Sequence, residues 1–146
     1  MATRSAIGYR KLDGSVRAVY CHWDGYPSHQ LPILRKHYSG IRKVQALIKP
    51  GSMSCLRTRQ VWESGDAIKD ANGYHRDSEG HLCYVNDRDP QPLYHVERGC
   101  GREAEAPITS HWPRNEWFHN HDCEYVYIFE RDKTWTVLSE RDPFDQ

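Results

Sequence analysis

The sequence predicts an α+β domain in which one antiparallel sheet is built from an N-terminal and a C-terminal hairpin. Two short helices are expected to pack on one face of that sheet. Three observations support this prediction. An Asp-Gly pair separates two β-prone runs near the N-terminus, two amphipathic stretches lie between residues 28 and 50, and a second pair of alternating runs closes the chain. Hairpins with helices between them are typical of this layered arrangement.

The first hairpin is predicted from runs 3–10 and 15–22, which flank Asp13-Gly14. Both central residues of a tight hairpin turn need a positive φ, which Asp-Gly adopts readily. The second hairpin is predicted from runs 123–130 and 134–138 around the turn-like Asp132-Lys133. The first of these two runs is apolar on both faces, which indicates a central strand.

Two helices are predicted between the hairpins. Ser28 is a suitable N-cap, and Pro32 falls in the first turn, where its missing N–H costs little. The expected apolar stripes are Leu31, Leu34 and Tyr38 in the first helix and Ile41, Val44, Leu47 and Ile48 in the second. The cations expected on the outer faces are Arg35, Lys36, Arg42 and Lys43.

Residues 1–146 are expected to form a single domain, with 63–115 as a polar excursion and a candidate binding insertion. That excursion has weak periodicity, and short strands are predicted only near 82–85 and 93–96. Ordered loops this long are uncommon unless they serve a function.

Composition limits the class of protein. Five cysteines are an odd number without a C-x-x-C pair, which argues against a secreted disulfide scaffold. No run approaches the ~20 apolar residues of a membrane-spanning helix, and the N-terminus lacks the apolar segment of a signal peptide. The expected location is therefore a cytoplasm, with no membrane partner.

Charge is divided unevenly along the chain. Residues 1–60 carry eleven Lys/Arg and two Asp/Glu, whereas residues 61–146 carry nine and eighteen, and the net charge is zero. One interpretation is a basic face for phosphates or an acidic partner. The other is that the two halves fold against each other and neutralise internally.

The segment after the first hairpin concentrates chemically useful side chains. It contains His22, Trp23, Asp24, Tyr26 and His29. The imidazoles and carboxylate suit metal binding or proton transfer, and the aromatics suit stacking on a base. A structural alternative is that the aromatics anchor the loop while the carboxylate caps a turn. We select these five residues and the four helix cations as candidate binding residues.

A second cluster runs from Trp117 to Cys123. In an extended chain His119, His121 and Cys123 would share one face and form half of a zinc site. A metal-dependent hydrolase using His22, Asp24, His119 and His121 is the corresponding hypothesis. However, no standard zinc spacing, phosphate-binding loop or nucleophile elbow is present. We therefore assign no catalytic residue, metal ligand or cofactor, and a non-enzymatic role is favoured.

Several motifs resemble a known family. They are Arg4-Ser5-x-Ile7-Gly8, Asp13-Gly14-Ser15-Val16 and Tyr20-Cys21-His22-Trp23-Asp24-Gly25-Tyr26-Pro27-x-His29. This signature resembles that of small phage, prophage and mobile-element proteins over residues 3–56, and residues 123–138 are similar to the family's closing hairpin. The family supplies no catalytic residues to carry over.

The resemblance implies a phage-encoded accessory protein in the cytoplasm of a host bacterium. Such proteins often counter bacterial defence, with anti-CRISPR proteins as the best-known class. The expected partner is a bacterial defence protein or CRISPR effector complex. The alternative is a protein that binds or sequesters a nucleotide through His22, Trp23, Tyr26 and the basic helices.

Overall fold

The computed structural model describes residues 3–56, 68–69, 75–76, 82–83, 92–94 and 105–141. In chain order its elements are β1 (Ser5–Arg10), β2 (Val16–Trp23), α1 (Pro27–His37), α2 (Ile41–Ile48), β3 (Met53–Cys55), β4 (Ile68–Lys69), β5 (His75–Arg76), β6 (Leu82–Cys83), β7 (Leu93–Tyr94), β8 (Ile108–Ser110), a short π-helix (Asn115–Asn120), β9 (Tyr125–Phe129) and β10 (Trp135–Ser139). The protein is α+β, as the sequence predicts.

The first hairpin joins β1 to β2 in antiparallel register, with Ser5 opposite Cys21. At its turn Gly14 has a φ of 89°, whereas Asp13 does not take a positive φ, so only one of the two expected left-handed positions forms. The Asp13 carboxylate accepts hydrogen bonds from the hydroxyl of Ser15 at 2.5 Å and from its amide at 3.0 Å. These bonds favour the charged carboxylate and so lower the pKa of Asp13.

The second hairpin joins β9 to β10. The Asp132 carboxylate accepts hydrogen bonds from the hydroxyl and amide of Thr134, and these bonds lower its pKa. Lys133 takes the left-handed conformation, with a φ of 71°. Strand β9 also pairs with β1, so it lies between β10 and β1, which accounts for its two apolar faces.

The main sheet is mixed rather than wholly antiparallel, which corrects the expected arrangement. Its order is β10-β9-β1-β2-β3-β7. Strand β1 runs parallel to β9, and β2 runs parallel to β3. Strand β8 pairs antiparallel with the first half of β2, while β3 pairs with the second half. The two hairpins meet through the parallel β1–β9 pair, a long-range contact that local periodicity does not specify.

Helices α1 and α2 cover one face of this sheet. Their buried side chains pack with those of β1, β2, β3, β7 and β9 around Ile7, Val19 and Tyr127. Leu34, Val44, Leu47 and Ile48 are buried as the stripes predict, together with Tyr38. The stripes miss Gln30 and Ile33, which are buried, and include Ile41, which is 43% exposed.

The opposite face is covered by the π-helix, which the sequence did not predict. Trp117 and Phe118 pack there against Ala6, Val126 and Ile128. The chain is therefore helical where an extended segment was expected. The sheet has an apolar layer on each side, and β1, β2 and β9 contribute alternate residues to both layers.

The polar excursion returns to the main sheet at two points, through β7 beside β3 and β8 beside β2. Strands β4, β5 and β6 form a separate three-stranded antiparallel sheet. Parts of the predicted strands, at 84–85 and 95–96, lie outside the described residues, as does Cys100. Among the described residues, no helix has the length and apolar character needed to cross a membrane.

Candidate functional site

The end of β2 carries the first of the selected side chains. His22 is half-buried, and its Nδ1 lies 2.7 Å from the hydroxyl of Tyr20. Its ring meets that of Trp23 edge to face, with centroids 4.7 Å apart. These contacts hold both rings against the strand.

The chain turns sharply at Asp24 and Gly25. Asp24 adopts a φ of 58°, a conformation that is uncommon for a residue with a side chain. The amide of Gly25 donates to the carbonyl of Thr3 at 2.9 Å, and the carbonyl of Gly25 accepts from the hydroxyl of Tyr127. A Cβ at Gly25 would lie 2.6 Å from the Cβ of Ser5. The turn therefore packs closely against Ser5 of β1 and Tyr127 of β9.

Helix α1 begins immediately after this turn. The carbonyl of Tyr26 accepts from the amides of His29 and Gln30 at 3.1 and 3.0 Å. The fully buried Gln30 side chain donates to the hydroxyl of Ser5 at 2.8 Å. Tyr26 itself is 40% exposed. Most of this segment thus joins the hairpin to the helix, and Tyr26 is available for contact with solvent or a partner.

Three side chains from separate segments meet beside this turn. One potential ligand atom from each of Asp24, His29 and Cys55 lies within 4.8 Å of the other two. The Sγ of Cys55 lies 3.7 Å from Oδ2 of Asp24 and 3.6 Å from the carbonyl oxygen of Leu56, and either oxygen can accept its proton. His29 Nε2 lies 2.8 Å from the carbonyl of Leu56. Because a carbonyl only accepts, Nε2 carries a proton and the neutral ring keeps its lone pair on Nδ1.

The structure brings together only part of the residue set named in the metal-dependent hydrolase hypothesis and in the segment after the first hairpin. Asp24 and His29 meet, but His22 is not among the clustered ligands. Cys55 completes the cluster, and sequence spacing gave no reason to select it. Its place follows from the parallel β2–β3 pairing, in which Trp23 lies opposite Cys55.

The zinc half-site considered for His119, His121 and Cys123 does not form, because these residues do not lie along one extended segment. His119 is an exposed residue of the π-helix. The Nδ1 of His121 donates to the carbonyl of Glu116 at 2.8 Å, and its ring stacks 4.5 Å from that of Trp117. Burial raises the pKa of the Cys123 thiol to about 12. Cys123 is buried in the apolar layer opposite α1 and α2, and His121 contacts Trp117 of that layer.

The selected cations lie on the helices as predicted. Arg35 and Lys36 are exposed near the end of α1, and Arg42 and Lys43 are exposed in the first turn of α2.

A cleft at the opposite end of the hairpins was not found from the sequence. It has a volume of 410 Å³. Its lining comes from the end of β1 and its turn, from α2, and from the β9–β10 turn; these residues are Tyr9, Arg10, Lys11, Leu12, Ile41, Gln45, Phe129, Glu130, Arg131 and Lys133. The cleft could not be read from the sequence because it depends on how the two hairpins are paired.

The cleft combines apolar and basic groups. Leu12 is 82% exposed and Ile41 is 43% exposed. Lys11, Arg131 and Lys133 are exposed at its edge. The guanidinium of Arg10 donates to the carboxylate of Glu130 at 3.0 and 3.3 Å. This bidentate pair leaves the other three cations to dominate the charge of the rim.

Comparison of the chain with family models, curated proteins and solved structures produced no match.

Proposed function

We propose that this chain is a phage-derived binding protein that inhibits a bacterial defence component, such as a CRISPR effector, through protein–protein contacts. The proposed contact surface is the cleft between the two hairpin turns and α2. The setting comes from the resemblance of residues 3–56 to phage and mobile-element proteins. The surface comes from the chemistry of the cleft lining.

The observation that carries the proposal is that two exposed apolar side chains share one concave site. Leu12 and Ile41 both line the cleft, and Tyr9 and Phe129 add aromatic surface. Single exposed apolar residues are ordinary on proteins. Several of them grouped in a cleft with a polar rim are typical of an interaction site.

The charge of the cleft rim supports a partner of a particular chemistry. Lys11, Arg131 and Lys133 are exposed residues that line the same cleft, and the Arg10 charge is compensated by Glu130. Electrostatic complementarity then favours an acidic segment of the defence protein that presents an apolar anchor to the cleft. Arg42 and Lys43 follow Ile41 in α2 and extend the basic surface.

The main contact proposed here is the cleft, and the segment from His22 to His29 is at most a secondary contact. Gly25 within this segment and Gln30 just after it are buried and hydrogen-bonded to Thr3 and Ser5, which supports a joining role. Tyr26 is the most exposed of the five residues selected in that segment and remains a secondary contact.

The test is phage plating on a bacterium that carries active CRISPR immunity. We expect the wild-type chain to restore plaque formation and to co-purify with the effector complex. The double variant Leu12→Ser/Ile41→Ser is expected to lose both properties while retaining its thermal unfolding transition. Trp112→Ser is the matched control, because Trp112 is 72% exposed and does not line the cleft.

Two results would overturn the proposal. One is wild-type protein that leaves immunity intact in every CRISPR and restriction system tested. The other is a folded Leu12→Ser/Ile41→Ser variant that inhibits as well as the wild type.

The same cleft also favours the second candidate function, binding of a nucleotide. Its volume of 410 Å³ lies within the range of small-molecule sites, and its apolar lining with a cationic rim suits a base and phosphates. A nucleotide at 100 times its Kd is then expected to add about 2.7 kcal/mol to the free energy of unfolding. The thermal midpoint of unfolding should rise accordingly. Such a shift without effector binding would select this function instead.

A further inference from the structure

We infer that Asp24, His29 and Cys55 form a binding site for a zinc-like transition-metal ion. This inference is independent of the proposed cleft, which lies at the opposite end of β2. It rests on the positions of three different ligand types, contributed by three separate segments of the chain.

The backbone directs these three side chains toward one point. The β2–β3 register places Cys55 opposite Trp23, immediately before Asp24. The left-handed conformation of Asp24 reverses the chain toward α1, whose first turn contains His29. Aspartate is one of the few residues with a side chain that adopts this conformation readily, so the turn is compatible with a carboxylate at this position.

The distances suit tetrahedral coordination. Zinc bonds of about 2.3 Å to sulfur and about 2.0–2.2 Å to nitrogen or oxygen put neighbouring ligand atoms about 3.3–3.7 Å apart. The Cys55 Sγ to Asp24 Oδ2 distance is 3.7 Å. The whole set lies within 4.8 Å, so small side-chain rotations would close the site.

The ligand chemistry selects the ion. A thiolate, an imidazole and a carboxylate together suit zinc and related transition metals. Magnesium and calcium prefer sets made entirely of oxygen ligands. Binding would replace the proton of the Cys55 thiol, so one proton leaves to solvent as the metal–sulfur bond forms.

Among the described residues the cluster holds three potential ligands, so a fourth would come from solvent or from a bound molecule. Cys55 is 1% exposed, but Asp24 and His29 are half-buried, so solvent reaches one side of the cluster. Three protein ligands with an open position are typical of zinc sites that bind water or another exogenous ligand.

A cysteine-nucleophile arrangement fits these residues less well. In such a site the carboxylate orients the imidazole, which in turn activates the thiol. Here the acceptors near the Cys55 thiol are the carboxylate of Asp24 and the carbonyl of Leu56, and the Nε2 of His29 is held by that same carbonyl. The buried thiol of Cys55 also has little access to a substrate.

The test is titration of the full chain with Co²⁺, which reports its ligands by absorption. We expect one Co²⁺ per chain, a thiolate-to-cobalt charge-transfer band and the strong visible bands of tetrahedral geometry. Zinc should displace the cobalt and remove both signals. Cys55→Ser is expected to lose the charge-transfer band, whereas Cys123→Ser, which alters a buried thiol outside the cluster, should keep it.

A second variant keeps the test decisive if Cys55→Ser does not fold. Asp24→Asn preserves side-chain shape and should weaken Co²⁺ binding by about tenfold or more while the charge-transfer band persists at saturation. Wild-type protein that binds no stoichiometric Co²⁺, or a cobalt spectrum without a thiolate band, would refute the site. So would a charge-transfer band that survives in folded Cys55→Ser.

Discussion

Gly25 shows how one residue determines the geometry of the joint between hairpin and helix. Its amide and carbonyl are both hydrogen-bonded, to Thr3 and Tyr127. The position of a Cβ would be 2.6 Å from Ser5 and 2.7 Å from the carbonyl of Thr3. Since neither obstacle is the end of a flexible side chain, the backbone of β1 or the turn must move to admit even alanine.

Gly25→Ala is therefore expected to lower the free energy of unfolding by about 1–3 kcal/mol, the usual cost of overpacking. Gly40→Ala is the control, because a Cβ at Gly40 meets no heavy atom within 4 Å and its φ of -140° suits any residue. Urea unfolding of both variants measures the difference. An equal loss in the two proteins would contradict the assigned role of Gly25.

At the scale of elements, the π-helix completes the fold by covering the second face of the sheet. Trp117 is 1% exposed and packs with strand residues that include Val126 and Ile128. This burial also explains why His119 and His121, which follow in the chain, do not form a ligand face. Burial of Trp117 and Phe118 sets the orientation of the π-helix. The same orientation leaves the adjacent His119 exposed.

Replacing Trp117 by alanine is expected to cost about 3–5 kcal/mol, because a large buried side chain leaves a cavity. The matched substitution Trp112→Ala, at a side chain that is 72% exposed, should change stability by no more than about 0.5 kcal/mol. Chemical denaturation followed by far-UV circular dichroism separates these outcomes. Equal stabilities of the two variants would show that Trp117 contributes little to the core.

At the scale of the whole molecule, β1 lies between β2 and β9 and connects the two ends of the chain. The charge asymmetry is partly neutralised across this junction. Arg10 of the basic half pairs with Glu130 of the acidic half, and Thr136 adds a hydrogen bond to the same carboxylate at 2.8 Å. These contacts favour internal neutralisation, while the exposed rim of the cleft retains positive charge.

A chain that ends at residue 122 lacks β9 and β10 and should show no cooperative unfolding transition. Loss of β9 would expose one edge of β1. It would also remove Tyr127 from one apolar layer and Val126 from the other. A chain that ends at Arg141 keeps every described element and is expected to unfold cooperatively. Calorimetry distinguishes the two, and a cooperative transition in the shorter chain would contradict the central role of β9.

Local signals were sufficient for much of the fold. The turn residues Asp13 and Gly14 and the stripe of Val44, Leu47 and Ile48 specify short-range structure because each depends on neighbours in sequence. Local signals predict only part of the cluster formed by Asp24, His29 and Cys55. Asp24 and His29 were selected for their chemistry, whereas Cys55, 26 positions after His29, gave no spacing that links it to them.

The sequence by itself determined the α+β class, the positions of the hairpin turns and the apolar face of α2 apart from Ile41. Only the tertiary structure decided the parallel β1–β9 and β2–β3 pairings, the covering of the second face, the cleft around Leu12 and Ile41, and the meeting of Asp24, His29 and Cys55. The physical reason is range. Turns and amphipathic stripes arise from contacts within a few residues, whereas strand order and side-chain clusters arise from distant segments that share one core.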